Sequence, residues 1–182
     1  MPDSDPRDDQ SLIDAACRGD AAAFETLYRR YRDWVARLAL RFTGHRDDAL
    51  DVLQETFIYL LRKLPTLHLT ARMTTFLYPA VKNLSLGLIR KRRPDSSDPE
   101  RLSDIPAPPA QGVGASRAEL ADVLACLPDA HREVVLMRFV DDMSLQEIAE
   151  ALGVPLGTIK SRLHNALASL RSDERTRRYF AQ

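Results

Sequence analysis

The sequence is poor in cysteine and glycine and carries no net charge, and each of these shortages excludes a class of protein. Its 182 residues include two cysteines, seven glycines, and 26 basic against 26 acidic side chains. Cys17 and Cys126 lie far apart and form no C-x-x-C pattern, so a reducing compartment is expected and a disulfide framework is not. The apolar residues never alternate over a long stretch, which argues against a β protein.

No apolar run is long enough to cross a bilayer, and no signal-peptide pattern opens the chain. We therefore expect a soluble, cytoplasmic protein without membrane insertion. The sequence also has no phosphate-binding glycine loop and no paired nucleophile and base, so no catalytic residue or cofactor is predicted. Cys126 and His131 are possible metal ligands, but two ligands do not make a site.

The charges that cancel in the total are unevenly distributed along the chain. Four aspartates make the N-terminus acidic, and residues 1–10 are predicted to be an acidic tail. The segment from Lys82 to Arg93 holds five basic side chains and no acidic one. A patch of this kind is suited to binding phosphate groups, although a solvated helix end is the simpler alternative.

Apolar residues recur at helical spacing along most of the chain, which predicts an all-α fold of two small helical bundles joined by a flexible linker. The first bundle, residues 11–93, is expected to contain about four helices. The first helix is predicted to start at Ser11 or Asp14, and the second lies between Asp20 and Gly44. The third is predicted from about Asp47 to Leu64, and the fourth from about Thr75 to Arg92. Pro79 predicts a late start or a kink in the fourth helix.

The third and fourth helices each carry an apolar stripe that is predicted to face the core. On the third helix the stripe consists of Leu50, Leu53, Phe57, Leu60 or Leu61, and Leu64. On the fourth helix it consists of Leu77, Val81, Leu84 and Leu88. The remaining side of each helix is available for other contacts.

Residues 94–116 differ in composition from the segments on either side. They hold five of the eleven prolines and few large apolar residues, so they are predicted to be a proline-rich linker. A flexible coil of this length averages roughly 25–30 Å end to end, and an extended one reaches about 70 Å. The second bundle is expected to cover residues 117–182 and to begin with a helix from Ala118 to Cys126.

The stretch SLQEIAEALGVPLGTIKSRL, Ser144 to Leu163, predicts two short helices around a tight turn. Ser144 and Glu147 have the spacing of a capping box, and Gly153 is suited to the left-handed conformation that ends a helix. Small, polar and basic residues then occupy the outer face of the second helix. This is the layout of a helix-turn-helix whose second helix reads DNA, and an ordinary helical hairpin with a solvated outer face is the alternative.

Three segments carry a family resemblance, and they are DALDVLQETFIYLLRKL (48–64), TFLYPAVKNLSLGLIRKRR (75–93) and LPDAHREVVLMRFVDDMSLQEIAEALGVPLGTIKSRLHNALASLR (127–171). With these motifs in this order, the chain resembles the extracytoplasmic-function (ECF) sigma factors of bacterial RNA polymerase, in the sigma-70 family. The resemblance implies that residues 11–93 correspond to sigma region 2 and residues 117–182 to region 4. It also implies three partners, which are core RNA polymerase, promoter DNA with its melted −10 strand, and an anti-sigma factor.

The resemblance implies that the third helix docks on the polymerase clamp through Asp48, Asp51, Gln54 and Glu55. These side chains share much of one helix surface, and the acids among them can pair with basic residues of a partner. A solvated acidic face is the alternative. Phe57 of the same motif is assigned mostly to the core.

For the fourth helix the resemblance implies contact with the −10 promoter element. Asn83 matches a base-contacting position, and the phosphate-holding side chains implied are Lys82, Arg90, Lys91 and Arg92. The preceding loop, with Leu67, His68 and Thr70, is implied to receive a flipped non-template base. Phe76 and Tyr78 are candidate stacking surfaces, and packing at the helix start is the equal alternative for Phe76.

For the helix after Pro155 the resemblance implies contact with the −35 element. The Gly157 backbone, Thr158 and Arg162 are expected to hold phosphate. Lys160 and Ser161 are expected to reach base edges, where each good contact discriminates by about 1–3 kcal/mol. His164 and Asn165 are expected to lie along the groove.

The sequence departs from the family's usual pattern at three of these positions. Relatives usually carry Trp where Phe76 stands, a polar or basic residue where Pro79 stands, and a basic residue where Asn165 stands. These departures affect the expected promoter sequence and duplex melting. They leave the docking pattern of the third helix unchanged.

Two other classes of protein remain as alternatives. The first is a two-domain helix-turn-helix transcriptional regulator that does not bind the polymerase core. The second is an enzyme, suggested by the run from His45 to Asp48 (HRDD), which a metal hydrolase can use. A helix start with Asp47 as its cap explains that run more simply.

Overall fold

The computed structural model describes residues 5–92 and 122–172. All regular structure in these two ranges is helical, so the predicted all-α class is confirmed. The chain divides into two compact units, Met1–Arg93 and Pro94–Gln182. The linker predicted for residues 94–116 lies outside the described ranges. Every helix within them is too short or too polar to span a bilayer.

The first unit contains four α-helices in its described part. They are α1 (Asp9–Cys17), α2 (Ala21–Thr43), α3 (Arg46–Lys63) and α4 (Met73–Arg92), with a 3-10 turn at Leu64–Thr66 between α3 and α4. The predicted ends of α2 are confirmed, because Asp20 accepts a hydrogen bond from the Ala23 amide at 3.1 Å and Gly44 has a φ of 71°.

The described part of the predicted acidic tail packs against α2, which corrects the expectation for residues 5–10. Asp8 caps α1 by accepting from the Ser11 amide at 2.7 Å, so the helix begins at Asp9. Arg7 pairs with Asp5 at 2.7 Å and with Asp20 at 3.2 Å. The Arg7 guanidinium holds the pKa of Asp5 below its usual value. These aspartates are used locally as caps and ion-pair partners, so they do not remain in a free tail.

The core of the first unit lies between α2, α3 and α4. Leu27, Leu60 and Leu77, one from each helix, are completely buried. Phe57 is also buried, as predicted, and the rings of Phe24 and Tyr28 meet it edge-on. Trp34 on α2, the only tryptophan of the chain, is half-buried in this unit.

The structure corrects one end of the apolar stripe predicted for α3. Leu50 is 46% exposed and Leu61 is 47% exposed, whereas Leu60 is buried. The buried face of α3 consists of Asp48, Ala49, Val52, Leu53, Thr56, Phe57 and Leu60. Because successive helical residues are turned by about 100°, Leu50 falls at the edge of this face and points outward.

Pro79 lies inside α4, which runs from Met73 to Arg92 without a break. The predicted late start is therefore not observed, and the helix begins two positions before Thr75. Proline has no backbone N–H, so the carbonyl of Thr75 lacks its usual partner within the helix.

The second unit is built around three α-helices in its described part, which are α5 (Asp129–Phe139), α6 (Leu145–Leu152) and α7 (Leu156–Ser172). Residues 122–125 are also helical, and the earlier part of the helix predicted from Ala118 lies outside the described ranges. Leu127, Val135 and Ala166 form a buried cluster, with Leu163 of α7 packed against it.

The turn between α6 and α7 has the predicted helix-turn-helix geometry. Ser144 Oγ accepts from the Glu147 amide at 3.2 Å, and the Glu147 carboxylate accepts from the Ser144 amide at 2.7 Å. Gly153 ends α6 in the left-handed conformation with a φ of 64°. The carbonyl of Pro155 then accepts from the Thr158 amide at 2.9 Å, which starts α7. The capping box and the glycine end are both confirmed.

Candidate functional site

One side of α3 is exposed along its length and carries both apolar and charged side chains. We name it the α3 outer face, and its residues are Leu50, Asp51, Gln54, Glu55, Ile58, Leu61 and Arg62. Its three apolar members are 46%, 38% and 47% exposed for Leu50, Ile58 and Leu61. Exposed apolar side chains next to acids are typical of a surface that binds another protein.

The structure places three of the four predicted docking residues on this face, and it adds three that the sequence reasoning missed. Asp51, Gln54 and Glu55 are exposed there. The additional residues are Leu50, Ile58 and Leu61; Leu50 was assigned to the core stripe, and Leu61 was the alternative there to Leu60, which is the buried one. The sequence could have indicated this, because positions 50, 54, 58 and 61 recur at helical intervals. They therefore lie on the side of the helix opposite Ala49, Val52 and Leu60.

Asp48 does not belong to the α3 outer face, and the prediction that it contacts polymerase is wrong. Asp48 is only 2% exposed. Its Oδ1 lies 2.5 Å from Nη2 of Arg92, in a charge–charge contact without the alignment of a hydrogen bond. A carboxylate buried in this way is not available to a partner protein. Its role is to hold the end of α4 against the start of α3.

We expect the two halves of this ion pair to differ in their effect on stability. Arg92→Ala leaves a buried carboxylate without its cation, which costs about 1–3 kcal/mol of unfolding free energy. Asp48→Asn leaves only an arginine side chain that is 59% exposed and can be solvated, so its cost stays within about 1 kcal/mol. Urea unfolding followed by Trp34 fluorescence measures both. Arg90→Ala is the matched control, and equal losses in the first two variants contradict the assignment.

The loop between the 3-10 turn and α4 presents two of its predicted base-contacting side chains to solvent. His68 and Thr70 are exposed, whereas Leu67 and Leu69 are half-buried. This alternation is typical of an extended segment lying along the protein surface. The loop therefore places His68 and Thr70 at its outer side.

The structure separates the two aromatic residues predicted to stack on bases. Tyr78 is only 1% exposed and its ring meets that of Phe42 edge-on at 6.1 Å, so the prediction that it contacts DNA is wrong. Phe76 is half-buried and stacks on Tyr59 of α3 at 5.9 Å. One face of the Phe76 ring is therefore covered by the protein itself, as the packing alternative predicted. Lys63 Nζ lies 5.7 Å from the centre of the Tyr59 ring.

The outer side of α4 aligns three of the predicted −10 residues. Phe76, Asn83 and Arg90 are seven positions apart, so they lie on one line along the helix. Asn83, Arg90 and Lys91 are exposed, and Lys82 is half-buried. Gly87 lies between Asn83 and Arg90, where an added Cβ would meet open space. Arg92 is held by Asp48 at the same helix end.

The outer face of α7 holds the predicted −35 residues together. Gly157, Lys160, Ser161, His164 and Asn165 are exposed, and Thr158 and Arg162 are half-buried at the margin of that face. Residues 156–172 contain no acid. Ser161 Oγ donates to the Thr158 carbonyl at 3.0 Å, so its hydroxyl is engaged within the helix. The face is basic and exposed to solvent. Ile159, on the opposite side of α7, is completely buried and packs that side into the unit.

Together these surfaces define a class, which is an all-helical DNA-binding protein with a helix-turn-helix unit and a second helical unit whose third helix exposes apolar and acidic side chains on one face. Two family matches refine this class. Sigma-70 region 2 matches residues 27–94, and Sigma-70 region 4 matches residues 123–172. The chain belongs to the ECF sigma factors of the sigma-70 family.

Individual relatives agree with this assignment. The chain is 31% identical over 172 residues to the ECF RNA polymerase sigma factor SigW of Bacillus subtilis (strain 168), covering 87% of this chain and 92% of SigW. It is 34% identical over 178 residues to the ECF RNA polymerase sigma factor SigE of Mycolicibacterium smegmatis, covering 92% of this chain and 68% of SigE.

Two solved structures are similar in fold. CnrH in complex with the cytosolic domain of CnrY has a TM-score of 0.66 at 25% identity, covering 90% of this chain and 95% of CnrH. The sigma factor RpoE in complex with the anti-sigma factor NepR from Bartonella quintana has a TM-score of 0.64 at 20% identity, covering 87% and 96%.

Proposed function

We propose that the chain binds core RNA polymerase and directs it to promoters through two DNA elements, the −10 element with the first unit and the −35 element with the second. The observation that carries this proposal is the exposure of the α3 outer face within the matched region 2. Three large apolar side chains exposed together on one helix face, beside two carboxylates, are typical of a protein-binding surface.

In this proposal the α3 outer face is the polymerase-docking surface. Leu50, Ile58 and Leu61 supply the apolar area, and Asp51 and Glu55 supply charges that a basic partner helix can match. Gln54 is exposed on the same face and its side-chain amide can both donate and accept hydrogen bonds. Burial of the apolar area gives affinity, and the charges set orientation.

The −10 element is assigned to the outer side of α4 and to the loop before it. Asn83 has an amide that can donate to and accept from a base edge. Arg90 and Lys91 are exposed cations suited to phosphate, and His68 and Thr70 face outward from the loop. Leu67 remains a candidate contact at the loop base, and Lys82 at the side of the helix.

The −35 element is assigned to the outer face of α7. The N-terminus of a helix favours anions, and Gly157 and Thr158 lie in its first turn, where they can hold a phosphate. Lys160 and Ser161 follow one turn later and can reach base edges in the major groove. Arg162, His164 and Asn165 extend the contact along the groove.

We also propose that an anti-sigma protein binds the free chain. CnrH, which shares the fold and 25% of its sequence positions, was solved with the cytosolic domain of CnrY bound to it. The proposed site of action is the cytoplasm, where core polymerase works, and no covalent chemistry is proposed. The two-domain regulator without polymerase binding is not favoured, because region 2 matches the first unit over residues 27–94.

Transcription of fragmented genomic DNA by purified core enzyme and this protein tests the proposal. We expect RNA 5′ ends that map downstream of one shared pair of elements, because both DNA-binding faces act together. Core enzyme alone is the control. No protein-dependent transcript and no binding to core polymerase would contradict the proposal.

A further inference from the structure

A side chain of α1 is bonded to the backbone of the loop that precedes α4. Oε1 of Gln10 accepts a hydrogen bond from the Leu69 amide at 2.9 Å. The contact joins two segments that are 59 residues apart in the sequence. Leu69 lies between His68 and Thr70, the two exposed side chains of the loop.

The amide of Gln10 is itself held in one orientation. Its Nε2 donates to Oδ1 of Asp14, one turn further along α1, at 2.8 Å. Since the donor end points to Asp14, the acceptor end is directed at Leu69. The bond to the loop is therefore set by two residues on one helix rather than by a freely rotating side chain.

The other end of α1 contacts the chain just before the same loop. The Cys17 thiol donates to the Leu64 carbonyl at 3.1 Å, at the first residue of the 3-10 turn. α1 thus touches the chain at Leu64 and at Leu69, on either side of His68 and its neighbours. The contact at Leu69 is the one that reaches the exposed part of the loop.

α1 is firmly attached to the rest of the unit, so it can hold the loop in place. Leu12 and Ile13 are completely buried. Arg30 of α2 pairs with Asp9 at 2.5 Å, and Tyr31 of α2 donates its hydroxyl to the same carboxylate. Burial and this bond together raise the pKa of the Tyr31 hydroxyl.

We propose that Gln10 is a positioning residue for promoter recognition, which fixes the Leu69 backbone so that His68 and Thr70 face an unpaired DNA base. This inference rests on the proposed −10 function of the loop. Successive side chains of an extended segment point to opposite sides. The backbone conformation at Leu69 therefore sets the direction of the His68 and Thr70 side chains on either side of it. Without its acceptor, the Leu69 amide turns to water and the loop samples other conformations.

The test compares Gln10→Ala with Asp14→Asn, a matched control on the same helix whose amide oxygen still accepts from Gln10 Nε2, so that the bond to Leu69 is kept. Amide exchange at Leu69, measured by NMR, is expected to accelerate about tenfold in Gln10→Ala only. Open-complex formation is then measured on promoters that differ at single −10 positions. Preference between bases is expected to fall about fivefold, the effect of one lost hydrogen bond, while core binding and −35 preference remain unchanged.

A double substitution gives a rescue. Gln10→Glu with Asp14→Asn exchanges the carboxylate and the amide, so position 10 still accepts from Leu69 and the bond between positions 10 and 14 is kept in reverse. Base preference is expected to return. Unchanged base preference in Gln10→Ala, while the unsubstituted protein has one, overturns this inference alone. If the unsubstituted protein has no preference at any −10 position, the proposed function of the loop fails with it.

Discussion

Reversing the two carboxylates of the α3 outer face is expected to weaken binding to core RNA polymerase roughly a hundredfold. The double substitution is Asp51→Arg with Glu55→Arg. Both side chains are exposed, and neither has an ion-pair partner within the residues the structure describes. A basic partner surface would then meet two added cations, and like charges brought together at an interface cost several kcal/mol. A loss of about 3 kcal/mol corresponds to roughly a hundredfold weaker binding.

Titration of fluorescently labelled core enzyme measures this loss. The thermal unfolding of the variant should match that of the unsubstituted protein, because neither carboxylate contributes to the core. Asp33→Arg on α2 is the matched control, since Asp33 is an exposed acid of the same unit outside this face. Full affinity in the double variant would remove the α3 outer face as the docking surface and favour the regulator without polymerase binding.

Removing the ring of Tyr78 is expected to destabilise the first unit by about 3–5 kcal/mol, the usual cost of truncating a buried aromatic to alanine. Tyr78 is 1% exposed, and its ring packs against Phe42 between α2 and α4. Tyr78→Phe keeps the ring and removes only the hydroxyl, which costs about 1 kcal/mol. A much larger loss of unfolding free energy in Tyr78→Ala than in Tyr78→Phe identifies the ring as part of the core.

Fluorescence suits this measurement because Trp34 is the only tryptophan and belongs to the first unit. Urea unfolding followed by Trp34 fluorescence reports the unfolding of the first unit without a signal from the helix-turn-helix unit. Phe76→Ala is a useful comparison, because Phe76 is only half-buried and should cost less. Unchanged stability in Tyr78→Ala, with a loss of promoter opening, would return Tyr78 to the DNA-facing residues.

Features that depend on neighbours in the sequence were predictable. The capping box of Ser144 and Glu147, the glycine end at Gly153 and the α2 cap at Asp20 all form within a few residues, so their spacing suffices to identify them. The all-α class followed from helical periodicity in the same way. The outer face of α7 was predictable because a buried stripe, with Ile159 at its centre, determines which side remains outside.

Features that depend on the packing of distant segments were not predictable. Asp48 and Asp51 occupy neighbouring positions on one helix, and nothing local shows that Arg92 lies close enough to cover one and not the other. Tyr78 was misassigned because its orientation depends on how α4 rotates against α2, and the proline next to it gives no indication of that rotation. Leu50 lies at the edge of the buried face, where a few degrees decide between core and surface.

The ion pair between Asp48 and Arg92 also changes how the end of α4 responds to dissolved salt. Affinity for DNA depends on ionic strength through the counterions that each protein cation displaces from phosphates. A guanidinium already neutralised by a carboxylate displaces fewer of them. The last turn of α4 carries Arg90, Lys91 and Arg92. In the release of counterions this turn should act as two cations, because Arg92 is paired with Asp48. Promoter binding by the first unit is therefore expected to be less sensitive to salt than its number of basic residues suggests.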